Sequence, residues 1–184
     1  PYFLAWTTTP WTLPSNTALC VGPKIDYVCV RTFNAYTGQP ISVVMAKALL
    51  SSYFNSEAEN ADFQSYKQGD KLIPYQVVGE WKGADLVGMH YEQLLPYVNP
   101  GEGAFRVIPG DYVSTEDGTG IVHIAPTFGA DDAFVAKQAG VPPLQMLTAK
   151  GKLAPMVDLQ GRFFPLEDLD ADFVKSNVNV EAYA

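Results

Sequence analysis

Residues 118–132 have the sequence Gly-Thr-Gly-Ile-Val-His-Ile-Ala-Pro-Thr-Phe-Gly-Ala-Asp-Asp, which indicates a strand, a tight turn and the start of a helix. The alternating, β-branched character of 119–125 predicts the strand, and it places His123 on one of the strand's two faces. The turn at 126–129 leads into a helix predicted from 131 to 139. The strand therefore delivers a histidine, and the helix start that follows delivers two carboxylates.

The two carboxylates are Asp131 and Asp132. Either could pair with the ammonium group of a ligand, because charge-assisted hydrogen bonds are stronger than neutral ones. The alternatives are that both aspartates only cap the helix and that His123 is a packed strand residue. A metal held by His123, Asp131 and Asp132 is disfavoured, because a catalytic zinc site normally needs three well-spaced protein ligands. We therefore predict no metal and no cofactor.

A second polar cluster occupies residues 7–16, Thr-Thr-Thr-Pro-Trp-Thr-Leu-Pro-Ser-Asn, with five hydroxyl side chains and one amide. Residues 2–9 are predicted to form a strand that ends at Pro10, which places the cluster at a strand end. Hydroxyl groups both donate and accept hydrogen bonds, so the cluster could bind a small polar ligand or orient a water molecule. The alternative is that the threonines are present because they favour strands.

The remaining sequence predicts many short strands and few helices. No strand-helix-strand rhythm is present, so the predicted fold class is mainly β, a barrel-like antiparallel sheet with peripheral α-helices. No linker divides the chain, and residues 1–184 are predicted to form a single domain. Further strands are predicted at 17–21, 27–32, 41–45, 71–78 and 104–108, and helices at 46–54 and 166–176.

The composition is that of a globular, acidic domain. Of 184 residues 47% are hydrophobic, and 20 acidic against 12 basic side chains give a net charge of −8. This charge repels a phosphate backbone, so RNA contacts must be local or be supplied by other domains.

The chain begins at Pro1 in the middle of a predicted strand, which favours a domain excised from a longer protein. No apolar stretch reaches membrane-spanning length, and a cytoplasmic location is expected.

Both polar stretches resemble the editing domain inserted in class I aminoacyl-tRNA synthetases. Residues 6–16, Trp-Thr-Thr-Thr-Pro-Trp-Thr-Leu-Pro-Ser-Asn, are similar to the isoleucine enzymes, because the valine and leucine enzymes typically carry Thr-Thr-Arg-Pro here. Residues 82–97 and 118–132 also match the family. Many bacterial isoleucine enzymes have His-Gly-Pro-Asp-Asp where residues 128–132 are Phe-Gly-Ala-Asp-Asp, so the resemblance is to a eukaryotic-type subgroup.

The resemblance implies the editing-domain fold of valyl-, isoleucyl- and leucyl-tRNA synthetases and the hydrolysis of a mischarged aminoacyl-tRNA. The substrate would be Val-tRNA(Ile), or valyl-adenylate, because a synthetic site discriminates weakly against an amino acid one methylene smaller. The implied partners are the 3′ end of tRNA(Ile), valine as the substrate moiety and the rest of the parent synthetase. The isolated domain is expected to be monomeric and to need no metal.

The resemblance also implies catalytic roles for four residues. Asp132 would hold the α-ammonium group of the substrate through a charge-assisted hydrogen bond. Thr7, Thr8 and Thr9 would contact the ester and position the attacking water, aided by the terminal ribose of the tRNA. No covalent nucleophile is expected.

Four more residues are expected to bind the substrate. His123 would line the side-chain pocket and exclude isoleucine, which is longer by one methylene. Trp6 and Asn16 would be neighbours of the site. Asp131 would either contribute to binding or cap the helix.

Three other functions stay open from the sequence. The nearest is the editing domain of a valyl-tRNA synthetase acting on Thr-tRNA(Val), against which the absence of arginine before Pro10 argues. The second is a non-catalytic module that docks the 3′ end of tRNA, which the net charge of −8 disfavours. The third is a metal-dependent hydrolase. Deacylation assays and a chelator distinguish all three.

Overall fold

The computed structural model describes residues 1–183, which form two compact units. Each unit is assembled from three separate segments of the chain. The first unit comprises Pro1–Trp6, Val21–Val87 and Pro109–Val122, and the second comprises Thr7–Cys20, Gly88–Ile108 and the residues from 123 onward.

Within residues 1–183 the elements are short. The strands are β1 (Tyr2–Phe3), β2 (Ala18–Val21), β3 (Asp26–Phe33), β4 (Pro40–Ala46), β5 (Gln76–Lys82), β6 (Arg106–Pro109), β7 (Ile121–Ile124), β8 (Met146–Leu147) and β9 (Leu153–Ala154). The α-helices are α1 (Gly83–Leu86), α2 (Ala130–Gln138), α3 (Ala171–Asn177) and α4 (Val180–Tyr183). Short 3₁₀ helices of three or six residues occupy Pro10–Ser15, Lys47–Ser52, Ser56–Ala58, Phe63–Ser65 and Leu166–Asp168.

The first unit contains a four-stranded sheet with the order β1-β4-β3-β5. β3 pairs antiparallel with β4 from Tyr27 opposite Ala46 to Phe33 opposite Pro40. Its residues from Tyr27 to Val30 are buried without alternation, as expected for a central strand that is covered on both faces. β1 lies at the edge and pairs parallel with β4.

The second unit has its own apolar core. Val98, Leu144, Met146, Met156 and Leu169 are buried together, and side chains of α3 pack against them. The side chain of Asp170 caps α3 by accepting a hydrogen bond from the backbone N–H of Phe173 at 2.9 Å. β8 and β9 form an antiparallel pair in this unit.

A three-stranded sheet with the order β6-β2-β7 carries the strand that was predicted at 119–125. β7 covers Ile121–Ile124, and α2 begins and ends one residue earlier than the predicted helix at 131–139. The predicted strand, turn and helix are confirmed in this stretch.

The predicted fold class is confirmed only in part. The fold combines mixed sheets with several short helices, but no closed barrel is found within residues 1–183, where the sheets have four, three and two strands. The predicted antiparallel arrangement is also wrong for β1, whose partner β4 runs parallel to it. The pattern of one strand indicates that it will pair, but pairing partners are set by contacts between residues distant in the chain.

The strand predicted for residues 2–9 ends at Phe3, and Thr7–Thr9 are not extended strand residues. The threonine side chains explain the difference. Oγ1 of Thr7 accepts from the backbone N–H of Thr9 at 3.0 Å, and Oγ1 of Thr12 donates to the carbonyl oxygen of Thr9 at 2.8 Å. Such local side-chain bonds compete with a strand ladder and favour turns.

Several boundaries also differ. The strand predicted at 71–78 lies at Gln76–Lys82, and the helix predicted at 166–176 divides into a 3₁₀ turn and α3, since Asp170 caps a new helix start. The helix predicted at 46–54 is the 3₁₀ turn Lys47–Ser52. The two-residue strands β8 and β9 were not predicted, because two residues are too few to show a period.

Candidate active site

His123 lies on β7, and both nitrogens of its ring are hydrogen-bonded to side chains of the second unit. Nδ1 is 2.8 Å from Nδ2 of Asn16, and Nε2 is 2.9 Å from Oγ1 of Thr12. Thr12 lies within the 3₁₀ turn Pro10–Ser15, and Asn16 directly follows it. This short turn brings two side chains of one segment to the two nitrogens of a single imidazole.

The amide of Asn16 has one consistent orientation. Its Nδ2 donates to the carbonyl oxygen of Ala18 at 2.9 Å, and its Oδ1 accepts from the hydroxyl of Tyr91 at 2.5 Å. The buried amide therefore presents N–H, not oxygen, to His123. Nδ1 of His123 must be the acceptor of that bond and carries no proton.

The tautomer of His123 follows from this orientation. A neutral imidazole whose Nδ1 accepts a hydrogen bond carries its proton on Nε2. Nε2–H then donates to Oγ1 of Thr12, and the Thr12 hydroxyl donates onward to the carbonyl oxygen of Thr9. Neither ring nitrogen is left to take a proton from a water molecule or a hydroxyl.

Burial lowers the pKa of His123 to about 4, because the charged imidazolium is poorly solvated there. The ring is therefore neutral near pH 7. The neighbouring groups add to this preference, since protonated Nδ1 would point its N–H at the N–H of Asn16. His123 is thus suited to shape the site and not to act as its general base.

The depressed pKa of His123 predicts a loss of stability in acid. The unfolded chain binds a proton near the ordinary value of 6.5, whereas the folded chain binds it only near 4. Between these values the unfolded state holds more protons, so the free energy of unfolding falls as pH decreases, by up to about 3 kcal/mol. Urea titrations from pH 7 to 4 should show this slope, and His123→Gln should remove that share of it. Equal slopes in both proteins would contradict the assignment.

The three consecutive threonines have different surroundings. Thr7 and Thr9 are half-buried, and their Oγ1 atoms are 3.4 Å apart. Oγ1 of Thr9 is also 3.5 Å from Oγ1 of Thr12, which continues the hydroxyl cluster to His123. Thr8 is exposed. The cluster offers donors and acceptors that can rotate to suit a ligand, because hydroxyl hydrogens are free to turn.

Asp132 lies in the first turn of α2, and its side chain reaches back to the end of β7. Oδ2 accepts a hydrogen bond from the backbone N–H of Ala125 at 3.0 Å, which leaves Oδ1 without a protein donor among residues 1–183. Burial raises the pKa of this half-buried carboxyl, and the nearby charge of Asp131 raises it further. A cation that approached Oδ1 would relieve both effects, so the group is suited to hold one.

The structure brings most of the predicted site residues into the second unit: Thr7, Thr8, Thr9, Asn16, His123, Asp131 and Asp132. Trp6 belongs to the first unit, where its side chain is 58% exposed, and its role stays a prediction. The side chain of Asp131 is exposed and lies in the first turn of α2, where a negative charge interacts favourably with the helix dipole.

Two residues of the hydrogen-bond network were not predicted as site residues. Thr12 was visible as part of the hydroxyl cluster, three residues after Thr9, which is the spacing of a helical turn. Tyr91 had no such signal, because it is 75 residues from Asn16 in the chain.

Within residues 1–183 no group of three His, Cys, Asp or Glu side chains is arranged to hold a metal ion. None of the helices described there has the length and apolar character needed to cross a membrane.

No family model matches the sequence, but individual proteins do. An isoleucine-tRNA ligase of Bacteroides fragilis is 72% identical over 100% of this chain, and one of Bacteroides thetaiotaomicron is 65% identical over 100% of it. An isoleucine-tRNA ligase of Clostridium tetani is 39% identical over 95% of the chain. The chain spans only 16%, 17% and 14% of these relatives' lengths. All three are bacterial, and the eukaryotic-type subgroup stays a prediction.

Solved structures share the fold. The crystal structure of the Plasmodium falciparum cytosolic leucyl-tRNA synthetase editing domain aligns with a TM-score of 0.52 at 16% sequence identity. The alignment covers 82% of this chain and 56% of that one. At such low identity the likeness concerns the fold alone, and it agrees with the editing-domain fold expected from the sequence.

Proposed function

Since this chain is homologous, along its whole length, to one segment of the isoleucine-tRNA ligases, we propose that it is the segment that hydrolyses Val-tRNA(Ile) formed in error. The observation that carries the proposal is the 72% identity over the full chain to such a ligase, combined with the polar site around His123 and Asp132. The reaction is hydrolysis of the ester between valine and the terminal ribose, in the cytoplasm and within the parent enzyme.

Asp132 is the residue we assign to substrate binding. Its Oδ1 is open, and its Oδ2 is held by the backbone of Ala125. A carboxylate fixed in this way can accept a hydrogen bond from the α-ammonium group of valine, and a charge-assisted bond of this kind is among the stronger ones. Holding the ammonium places the ester carbon at a fixed distance from the helix start.

The hydroxyls of Thr7 and Thr9 are assigned to the ester and the attacking water. Their Oγ1 atoms form a cluster that can donate to the ester oxygen and accept from the water. Positioning a reactant in this way accelerates a reaction by removing the entropy loss from the chemical step. Thr8 is exposed, and we assign it a contact with the tRNA ester from the solvent side.

Direct attack by water is favoured over a covalent threonyl intermediate. A threonine nucleophile needs a base that accepts its hydroxyl proton. Among residues 1–183, the only hydroxyl bonded to His123 is that of Thr12. This hydroxyl accepts from Nε2–H and donates its own proton to the carbonyl oxygen of Thr9. His123 therefore acts as a wall of the valine pocket, consistent with its neutral ring.

The valyl enzyme's editing domain acting on Thr-tRNA(Val) is the second candidate. It shares the fold and the threonine-rich stretch, but the residue before Pro10 is Thr9, where that enzyme typically carries arginine.

The tRNA 3′ end and the rest of the synthetase are the proposed partners. Because the chain has a net charge of −8, most phosphate contacts would come from the other domains.

Deacylation assays test the proposal. We expect the chain to release valine from Val-tRNA(Ile) faster than isoleucine from Ile-tRNA(Ile) or threonine from Thr-tRNA(Val), with no effect of a chelator. The assay is made with the chain alone and with the chain substituted for the matching segment of the Bacteroides fragilis ligase, its relative at 72% identity. Preference for Thr-tRNA(Val) would favour the second candidate, binding without hydrolysis in both formats would favour a docking module, and inhibition by the chelator would favour a metal hydrolase.

A further inference from the structure

Tyr91 is a half-buried tyrosine whose hydroxyl points at the site network from a distant part of the chain. Its backbone N–H donates to the carbonyl oxygen of Phe105 at 2.9 Å, and its ring meets that of Phe105 edge-on at 5.9 Å. Its hydroxyl donates to Oδ1 of Asn16 at 2.5 Å. The backbone bond and the ring contact fix the position from which this hydroxyl donates.

The hydroxyl of Tyr91 and the carbonyl oxygen of Ala18 together determine how the Asn16 amide is turned, because the first donates to Oδ1 and the second accepts from Nδ2. Burial raises the pKa of Tyr91, so the hydroxyl keeps its proton and can only serve Oδ1 as a donor. If the amide were reversed, its oxygen would face the carbonyl oxygen of Ala18, and its N–H group would face the tyrosine hydroxyl. The observed orientation satisfies all of these groups at once, which the reversed one does not.

We propose that Tyr91 is a positioning residue which, through Asn16, holds His123 as the Nε2–H tautomer and so keeps both of its ring nitrogens away from the substrate. The chain of bonds runs from Tyr91 through Asn16 and His123 to Thr12 and ends at the carbonyl oxygen of Thr9. Every group in it donates in the same direction. Reversal of the Asn16 amide would place an oxygen beside Nδ1 and move the ring proton there.

The consequence for substrate choice rests on the proposed function. With both nitrogens engaged, the imidazole offers a ligand only its carbon edge and its face. Such a wall is apolar, and it suits the side chain of valine, which makes no hydrogen bond. A ring that alternated between tautomers would lose its bond to Asn16 or to Thr12 whenever that partner did not turn with it, which would expose a polar nitrogen and admit water beside the substrate. The ring would then no longer have one fixed shape against the longer side chain of isoleucine.

The direct test is the protonation state of the His123 ring in Tyr91→Phe, measured by nitrogen-15 NMR on the whole chain. In the unchanged protein we expect the ring shifts of an unprotonated Nδ1 and a protonated Nε2. Tyr91→Phe should move Nδ1 towards the protonated shift. The signals of the second histidine, His90, are identified by their loss in His90→Gln.

Tyr183→Phe is the matched control. Its hydroxyl donates to the carbonyl oxygen of Phe164 at 2.6 Å in the same unit, so the substitution removes a comparable hydrogen bond without touching the network. The control should leave the His123 shifts unchanged. Identical shifts in Tyr91→Phe and the unchanged protein would overturn the proposal, as would an equal change in both variants.

A second variant keeps the test decisive if Tyr91→Phe does not fold. Asn16→Asp replaces the donating Nδ2 with an accepting oxygen, so His123 should carry its proton on Nδ1. A ring that keeps the Nε2–H tautomer in Asn16→Asp would show that the amide does not set the proton's position, and the proposal would be wrong.

Kinetics separate this inference from the proposed function. In Tyr91→Phe the preference in kcat/KM for Val-tRNA(Ile) over Ile-tRNA(Ile) should fall about fivefold, the effect of one lost hydrogen bond. Tyr183→Phe should keep the preference. If the tautomer of His123 changes in Tyr91→Phe but the chain deacylates neither substrate, the proposed function is refuted and the positioning role is retained. If the ring signals stay unchanged in an enzyme that is active, only the positioning role is refuted.

Discussion

Asp132→Asn is expected to slow the deacylation of Val-tRNA(Ile) by roughly a hundredfold or more, because it removes one partner of a partly desolvated charge pair. Asparagine has the shape of aspartate and can still accept the hydrogen bond from the backbone N–H of Ala125, so the turn into α2 should be retained. What it loses is the negative charge that would face the α-ammonium group of valine. The measurement is the single-turnover rate of valine release at enzyme concentrations below saturation, which reports kcat/KM and therefore includes any loss of substrate binding.

The neighbouring aspartate provides the control. Asp131→Asn makes the same change of charge one residue earlier in the same helical turn, but the Asp131 side chain is exposed and accepts no bond from Ala125. We expect this variant to retain nearly full activity, since an exposed charge is largely screened by solvent. Equal losses in the two variants would indicate a general effect of charge at the start of α2, and full activity in Asp132→Asn would remove the ammonium role.

The part of the site that could be predicted from the sequence is the part with local causes. The strand that carries His123 and the helix start that carries Asp132 are both close to their predicted places, because strand alternation, turn residues and helix-start acids act over a few residues. The hydroxyl cluster was also predicted as a polar feature. Its conformation was not, since the bonds of Thr7 and Thr12 to nearby backbone atoms replaced a strand with a bend and a 3₁₀ turn.

The roles inside the network needed the structure. A histidine on a strand has the same sequence pattern whether it is a base, a metal ligand or a pocket wall. The role of His123 is set by its hydrogen bond to Asn16, which is 107 residues away in the chain, and by the bond between Tyr91 and Asn16, which are 75 residues apart. Contacts at such separations leave no period or spacing in a single sequence. The prediction of a barrel-like sheet was wrong for the same reason, because pairing between strands also depends on residues that are distant in the chain.

The two glycines that precede β7 lead to the second large prediction, which concerns stability. Gly118 and Gly120 both have left-handed backbone angles, with φ of +66° and +76°. A side chain at Gly118 would meet no atom within 4 Å, whereas a Cβ at Gly120 would lie 2.5 Å from the Cβ of Ala46. Ala46 is fully buried, and its backbone N–H donates to the carbonyl oxygen of Thr119 at 2.8 Å.

Gly120→Ala should therefore lower the free energy of unfolding far more than Gly118→Ala does. Both variants place alanine in the left-handed region, which costs about 1–2 kcal/mol, and both lose the same flexibility of the unfolded chain. Only Gly120→Ala adds the overlap with Ala46, and overpacking of this kind usually costs about 1–3 kcal/mol more. The total loss in the free energy of unfolding is then about 2–5 kcal/mol. That is a large share of the roughly 5–15 kcal/mol that stabilises a typical domain.

Urea denaturation of the two variants measures this difference, and a double-mutant cycle assigns its cause. Ala46→Gly removes the atom that the new Cβ would strike, so the combination of Gly120→Ala with Ala46→Gly should be more stable than the sum of the two single losses. The same second substitution should not rescue Gly118→Ala, whose Cβ lies in open space. If both glycine variants lost equal stability, or Ala46→Gly rescued neither, backbone strain alone would explain the requirement for glycine at 120. The contact with β4 would then not be its cause.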